Sequence, residues 1–64
     1  MKTQIKEQRI KMGMSQDQLA EKSGVARTII SQLETGQRTV TTTETMLKIA
    51  RALECSVADI FLLE

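Results

Sequence analysis

The sequence predicts an all-α domain of five short helices, and three observations carry that expectation. Apolar residues recur at helical spacing along nearly the whole chain, while strand-like alternation is absent. Gly13, Gly24 and Gly36 divide the first half at nearly even intervals and serve as punctuation. A hydroxyl residue precedes two of the apolar runs, with Gln or Glu three positions later, which is the signature of a capping box. The chain has no Pro, no internal repeat and no low-complexity linker.

The first helix is expected over residues 2–12, with Ile5, Arg9 and Met12 on one stripe and Gly13 free to take the left-handed conformation that ends it. Ser15, with Gln18 three residues on, opens the second helix. Leu19 and Ala20 face inward, and Lys22, Ser23 and Gly24 stop it. The third helix covers residues 26–35, with Ile30 and Leu33 inward and Gly36 at its end. The threonine-rich stretch 37–42 reads as a loop, because a single strand there would have no partner. Thr41 with Glu44 makes a second capping box, with Thr42 as the competing cap. The fourth helix then runs to Leu53, with Met46, Leu47, Ile49, Ala50 and Leu53 apolar. Ser56 caps a fifth helix whose inner residues are Val57, Ile60 and Phe61. Helices this short do not stand alone, so the second and third are expected to form by packing on each other and on their neighbours.

A chain of 64 residues is expected to be a single domain over residues 1–64. A domain this small buries only ~60% of its unfolded surface and needs some supplement to its core. Cys55 is the lone cysteine and there is no His, so neither a disulfide nor a metal site is expected. Oligomerisation remains as the supplement. The polar N-terminal stretch and the short apolar runs predict no membrane segment and a soluble, cytoplasmic protein. Without His, Tyr or Trp, and without a Gly-rich phosphate loop or a paired-acid site, no enzyme, cofactor or small-molecule ligand is expected. The net charge of +1 does not by itself point to nucleic acid, so that case rests on where the charges lie.

A short helix, a tight glycine-bearing turn and a second short helix make a helix-turn-helix motif over residues 16–33. Ala20 is small where the helices cross. Gly24 permits the positive-φ turn. Val25, Ile30 and Leu33 plug the second helix onto the first, which leaves Arg27, Thr28, Ser31 and Gln32 outward. Arg9 and Glu34 both fall at inward-leaning positions, and a partly buried ion pair between them would lock the first helix to the end of the third. Met12, Met14 and Met46 read as core, as does Cys55.

These residues resemble the lambda-repressor-like helix-turn-helix regulators, which include the Cro and repressor proteins. The resemblance runs from Ile5 to Phe61. It is carried by Arg9, Gly13, Met14, Ser15, Gln16, Leu19, Ala20, Ser23, Gly24, Val25, Arg27, Ile30, Ser31, Leu33, Glu34, Gly36 and Arg38, then by the run from Leu47 to Leu53 and by Asp59, Ile60 and Phe61. It implies that Arg27, Thr28 and Gln32 meet base edges in the major groove. Arginine suits guanine and glutamine suits adenine there. It implies phosphate contacts for Gln16, Thr35, Gln37 and Arg38, which position the protein and carry no sequence information. The chain departs from the family in several places. Val40 and Thr41 stand in a loop that usually holds Pro and is one residue shorter. Glu54 stands where Gly commonly ends the fourth helix, and Cys55 replaces an aliphatic residue. Gln8 replaces Leu. Ile29 occupies a position more often Ser or Thr, and is either a thymine-methyl contact or a plain exposed side chain.

With Phe61 in the core, Leu62 and Leu63 are expected to be exposed, and contiguous exposed apolar surface marks a partner. A two-fold homodimer through them would set two recognition helices about 34 Å apart on a palindromic operator. Arg27, Arg38, Lys6 and Lys11 lie toward the expected DNA side, whereas Glu54, Asp59 and Glu64 lie away from it. The function expected is a sequence-specific double-stranded-DNA-binding regulator, most simply a repressor. The competing reading is a protein-interaction module of the same fold, an antitoxin or adaptor.

Overall fold

The computed structural model describes residues 2–37 and 42–62. Its elements are β1 (Lys2–Thr3), α1 (Ile5–Lys11), α2 (Gln16–Ser23), α3 (Arg27–Thr35), α4 (Thr43–Ala52), α5 (Val57–Ile60) and β2 (Phe61–Leu62). The five helices follow the apolar periodicity and the local stop signals. Ser15 caps α2 through a reciprocal box: its Oγ accepts from the Gln18 N–H at 3.1 Å, and its own N–H donates to Gln18 Oε1 at 2.8 Å. Thr42, the competing cap, is the one that opens α4, with its Oγ1 accepting from the Thr45 N–H at 3.1 Å. Thr41 and the rest of the loop from Arg38 to Val40 lie outside the described residues. In α5 the Ser56 N–H donates to Asp59 Oδ2 at 3.0 Å, and hydrogen bonding from Ser56 holds the Asp59 carboxyl below the usual carboxylate range.

The start of the chain departs from expectation. Lys2 and Thr3 do not begin the first helix; they pair antiparallel with Leu62 and Phe61. The Gln4 N–H extends the link, donating to the Ile60 carbonyl at 2.8 Å. A pairing of two residues a side shows no alternation in the sequence, and its partner strand lies beyond every helix. Helical period therefore gave no warning of it.

The buried core is drawn from every helix: Ile5 of α1, Leu19 of α2, Ile30 and Leu33 of α3, Ile49 of α4 and Ile60 of α5. Leu53 and Phe61 close it at the ends of α4 and α5. Met12, Met14 and Met46 pack against this core as half-buried side chains, and so does Cys55. Ile29 is neither of its two sequence alternatives in pure form, being half-buried and packed against the core. α2 packs on both α3 and α4, α1 on α3, and α5 on α4. Two side chains join distant elements by satisfying carbonyls at helix ends. Thr3 Oγ1 donates to the Leu33 carbonyl at 3.3 Å, and Gln8 Nε2 to the Leu53 carbonyl at 3.3 Å. Gln8, which thins the apolar stripe of α1, thus returns a polar clasp to the end of α4.

Candidate nucleic-acid interface

The geometry of the α2–α3 turn comes from three residues. Gly24 adopts φ +75° and ψ 15°, and its N–H donates to the Ala20 carbonyl at 2.9 Å, ending α2. An added Cβ there would meet nothing within 4 Å. Glycine is favoured there by the backbone angle and not by crowding. The Ser23 hydroxyl oxygen accepts from the Val25 N–H at 3.2 Å, and Val25 itself is buried. The turn is therefore pinned on its polar side by Ser23 and on its apolar side by Val25. α3 leaves it from Ala26, an N-cap with no side-chain hydrogen bond.

Burial of Ile30 and Leu33 fixes the rotation of α3 about its axis, which sets what its other face shows. Arg27 and Thr28 are exposed at the first turn, while Ser31 and Gln32 are half-buried further along. Of the residues expected to touch phosphates, Gln16 is half-buried at the first position of α2, with Nε2 donating to Glu34 Oε1 at 3.2 Å. Thr35 is exposed, but its hydroxyl donates back to the helix, to the Ser31 carbonyl at 3.0 Å and the Gln32 carbonyl at 3.3 Å. It offers an incoming phosphate no donor unless it rotates. Gln37 is exposed just past Gly36. Arg38 and Leu63 lie outside the described residues. Leu62 has its backbone in β2, and its side chain is likewise outside the description.

Behind this face lies the Arg9–Glu34 pair. Arg9 Nε reaches Glu34 Oε2 at 2.9 Å and Nη2 reaches Oε1 at 3.1 Å, while Nη1 donates to the Met14 carbonyl at 2.8 Å. The side chains are 11% and 3% exposed. The hydrogen bond to Glu34 raises the Arg9 pKa above its ordinary value, against the opposite pull of burial. One guanidinium thus joins α1, the segment leading into α2, and the last turn of α3. Gln16 bonds the same carboxylate, so the start of α2 is referenced to the end of α3 through Glu34.

Sequence reasoning missed the partner of Arg27. Arg27 Nε lies 3.2 Å from Asp17 Oδ1, with the two side chains 61% and 82% exposed. Asp17 is the second residue of α2 and Arg27 the first of α3, so the pair bridges the motif on its outer side. No helical spacing relates residues on two different helices, and only the crossing of the helices brings them together. Elsewhere, among the described residues no group of three or more His, Cys, Asp or Glu side chains is placed to hold a metal ion. No helix among them is long and apolar enough to cross a membrane.

Comparison with known proteins agrees with this geometry. The Helix-turn-helix family matches residues 5–60. Two proteins of Archaeoglobus fulgidus, each described as an uncharacterized HTH-type transcriptional regulator, are 39% identical over the whole chain, which covers 90% and 89% of their lengths. YgzD of Bacillus subtilis, likewise described as an uncharacterized HTH-type transcriptional regulator, is 38% identical over the whole chain, which covers 96% of its length. Among solved structures, a chain of a SinR protein–SinI protein complex superimposes with a TM-score of 0.82 at 34% identity over 86% of this chain. This chain spans about half of that one, 53% of its length.

Proposed function

This chain belongs to the helix-turn-helix family of Cro- and repressor-type regulators, and on that premise we propose that it binds a short palindromic DNA operator as a homodimer and represses by occupying it. The observation that carries the reading is the face of α3. Its inner residues are committed to the core while Arg27 and Thr28 stand exposed at its first turn. That is the arrangement by which a recognition helix offers its N-terminal side chains to base edges. Arg27, Thr28 and Gln32 read bases. Gln16, Gln37 and Arg38 hold the phosphate backbone, and Thr35 joins them once its hydroxyl turns from the Ser31 carbonyl.

Molecular size supports the dimer. The Cα trace spans 27 × 20 × 20 Å, shorter than the ~34 Å that separates half-sites one turn apart. One copy therefore covers one half-site, and a palindrome needs two. Leu62 and Leu63 join the copies in this reading. A second reading, a protein-binding antitoxin or adaptor, draws on the exposed Ile10 and Leu47, 59% and 43% accessible. The SinR structure, moreover, is of a protein–protein complex.

Selection of bound sequences from a random DNA pool at near-physiological salt tests the proposal. A palindrome with half-site centres about one helical turn apart is the expected result. Weak, salt-sensitive binding with no recovered motif would overturn it in favour of the protein-binding reading.

A further inference from the structure

The ion pair that bridges the motif points to a role for Asp17. We propose that Asp17 is a positioning residue, holding the Arg27 guanidinium in the orientation that reads a base pair and thereby raising specificity while lowering affinity for DNA in general. The inference rests on the reading of Arg27 as a base contact.

A guanidinium carries one N–H on Nε and two on each terminal nitrogen, in a planar fork. Asp17 Oδ1 forms an ion pair with Arg27, lying 3.2 Å from Nε. The two terminal nitrogens remain for a ligand, and two parallel N–H groups are what the O6 and N7 of guanine require in the major groove. An arginine with no partner samples many rotamers and loses that freedom on binding. In the complex, a carboxylate beside it favours the orientation in which its terminal nitrogens face the matching base. In free solution so exposed a pair contributes little. Once DNA covers it and excludes water, the same contact strengthens.

The charge of Asp17 acts in the opposite sense. At the second position of α2 it lies next to Gln16, at the helix end offered to the phosphate backbone. A carboxylate there repels phosphates of any sequence and offsets part of what Arg27 gains by charge alone. Removing it is therefore expected to help unspecific binding and harm discrimination. A merely structural role, such as favouring the N-terminus of α2, would lower stability and shift neither quantity in that pattern.

The test uses the operator recovered by selection, and competitors altered at one base pair at a time. Arg27→Ala identifies the base pair that Arg27 reads, with preference there falling by roughly 5- to 150-fold. Asp17→Ala is expected to lower preference at that same pair by about 3- to 10-fold while raising affinity for unrelated DNA about 2- to 5-fold. In the Arg27→Ala background, Asp17→Ala should cause no further loss of preference. Circular dichroism confirms that each variant is folded. Full preference retained in Asp17→Ala would overturn the positioning role while leaving Arg27 as a base reader. An equal loss with and without Arg27 would do the same. If Arg27→Ala itself changed no base preference, the base-contact reading would fall first, and this inference with it.

Discussion

Arg9 is the side chain on which most of the local geometry converges. Its three nitrogens serve both oxygens of Glu34 and the carbonyl of Met14, at exposures of 11% for Arg9 and 3% for Glu34. Removing the arginine strands a nearly buried carboxylate, and one-sided removal of a buried pair costs ~3–5 kcal/mol. At ~0.05–0.15 kcal/mol per residue, a domain this size has only roughly 3–10 kcal/mol in total. Arg9→Met is expected to lose much of the folded population, measured as a lower urea midpoint with an unchanged slope. A loss under ~1 kcal/mol would show that water solvates the pair after all. Cys55 makes a different prediction. Burial first, and the nearby Asp59 charge second, push its thiol up. A thiol whose folded pKa is raised keeps its full contribution to stability below the unfolded pKa, ~8.5, and loses it as pH rises through the folded value. Urea unfolding followed from pH 7 to 10 should show an alkaline loss that Cys55→Ala reduces. Iodoacetamide should alkylate Cys55 more slowly in the folded protein than in urea.

Two helices end in the same way with different residues. In α1 the Met14 N–H donates to the Arg9 carbonyl at 3.0 Å and the Gly13 N–H to the Ile10 carbonyl at 2.9 Å. In α4 the Cys55 N–H donates to the Ala50 carbonyl at 3.0 Å and the Glu54 N–H to the Arg51 carbonyl at 3.1 Å. Both are Schellman endings, which place one residue in the left-handed region. Gly13 takes φ +72° without strain, whereas Glu54 is held at φ +55°. A non-glycine residue there costs ~1 kcal/mol or more. Its exposed contact with Lys22, at 3.5 Å, returns little. Glu54→Gly is therefore expected to stabilise by ~0.5–1 kcal/mol and to raise Tm by roughly 2–8 °C. A lower Tm would mean that the Lys22 contact outweighs the backbone strain. The recognition helix has its own local weakness, because Ala26 has no side-chain oxygen to accept from the first N–H groups of α3. Ala26→Ser supplies one and should stabilise by ~0.5–1.5 kcal/mol in the same melting assay. An unchanged melt would show that this hydroxyl does not reach them.

At the scale of the whole molecule, the two-residue strand pair and the Gln4–Ile60 hydrogen bond stitch α1 to the end of α5. Thr3 and Gln8 then fasten that corner to the ends of α3 and α4. The proposed operator-binding dimer adds what a small core lacks, because association favours the folded state by mass action. Tm should therefore rise with protein concentration, and Leu63→Asp should abolish that dependence and lower operator affinity. A Tm independent of concentration from 1 to about 100 μM, with operator binding intact, would set the dimer aside.

The helices, their caps at Ser15 and Ser56, and the inward residues of α2 and α3 were legible in the sequence. Each rests on interactions within a few positions along the chain. The Arg9–Glu34 contact was legible too, since both residues fall on faces whose direction the helical period sets. The tertiary structure decided what depends on separate elements meeting. It paired Lys2 and Thr3 with β2, turned Ile29 partly inward, gave the Gln16 amide to Glu34 and brought Asp17 to Arg27. It also held Glu54 in a conformation its side chain disfavours, because the packing of α4 against α2 and α5 outweighs a local cost of ~1 kcal/mol. Periodicity and capping are local and repeat along the chain. A single contact between two helices is fixed by how they cross, a property of the packed core that neither helix carries alone.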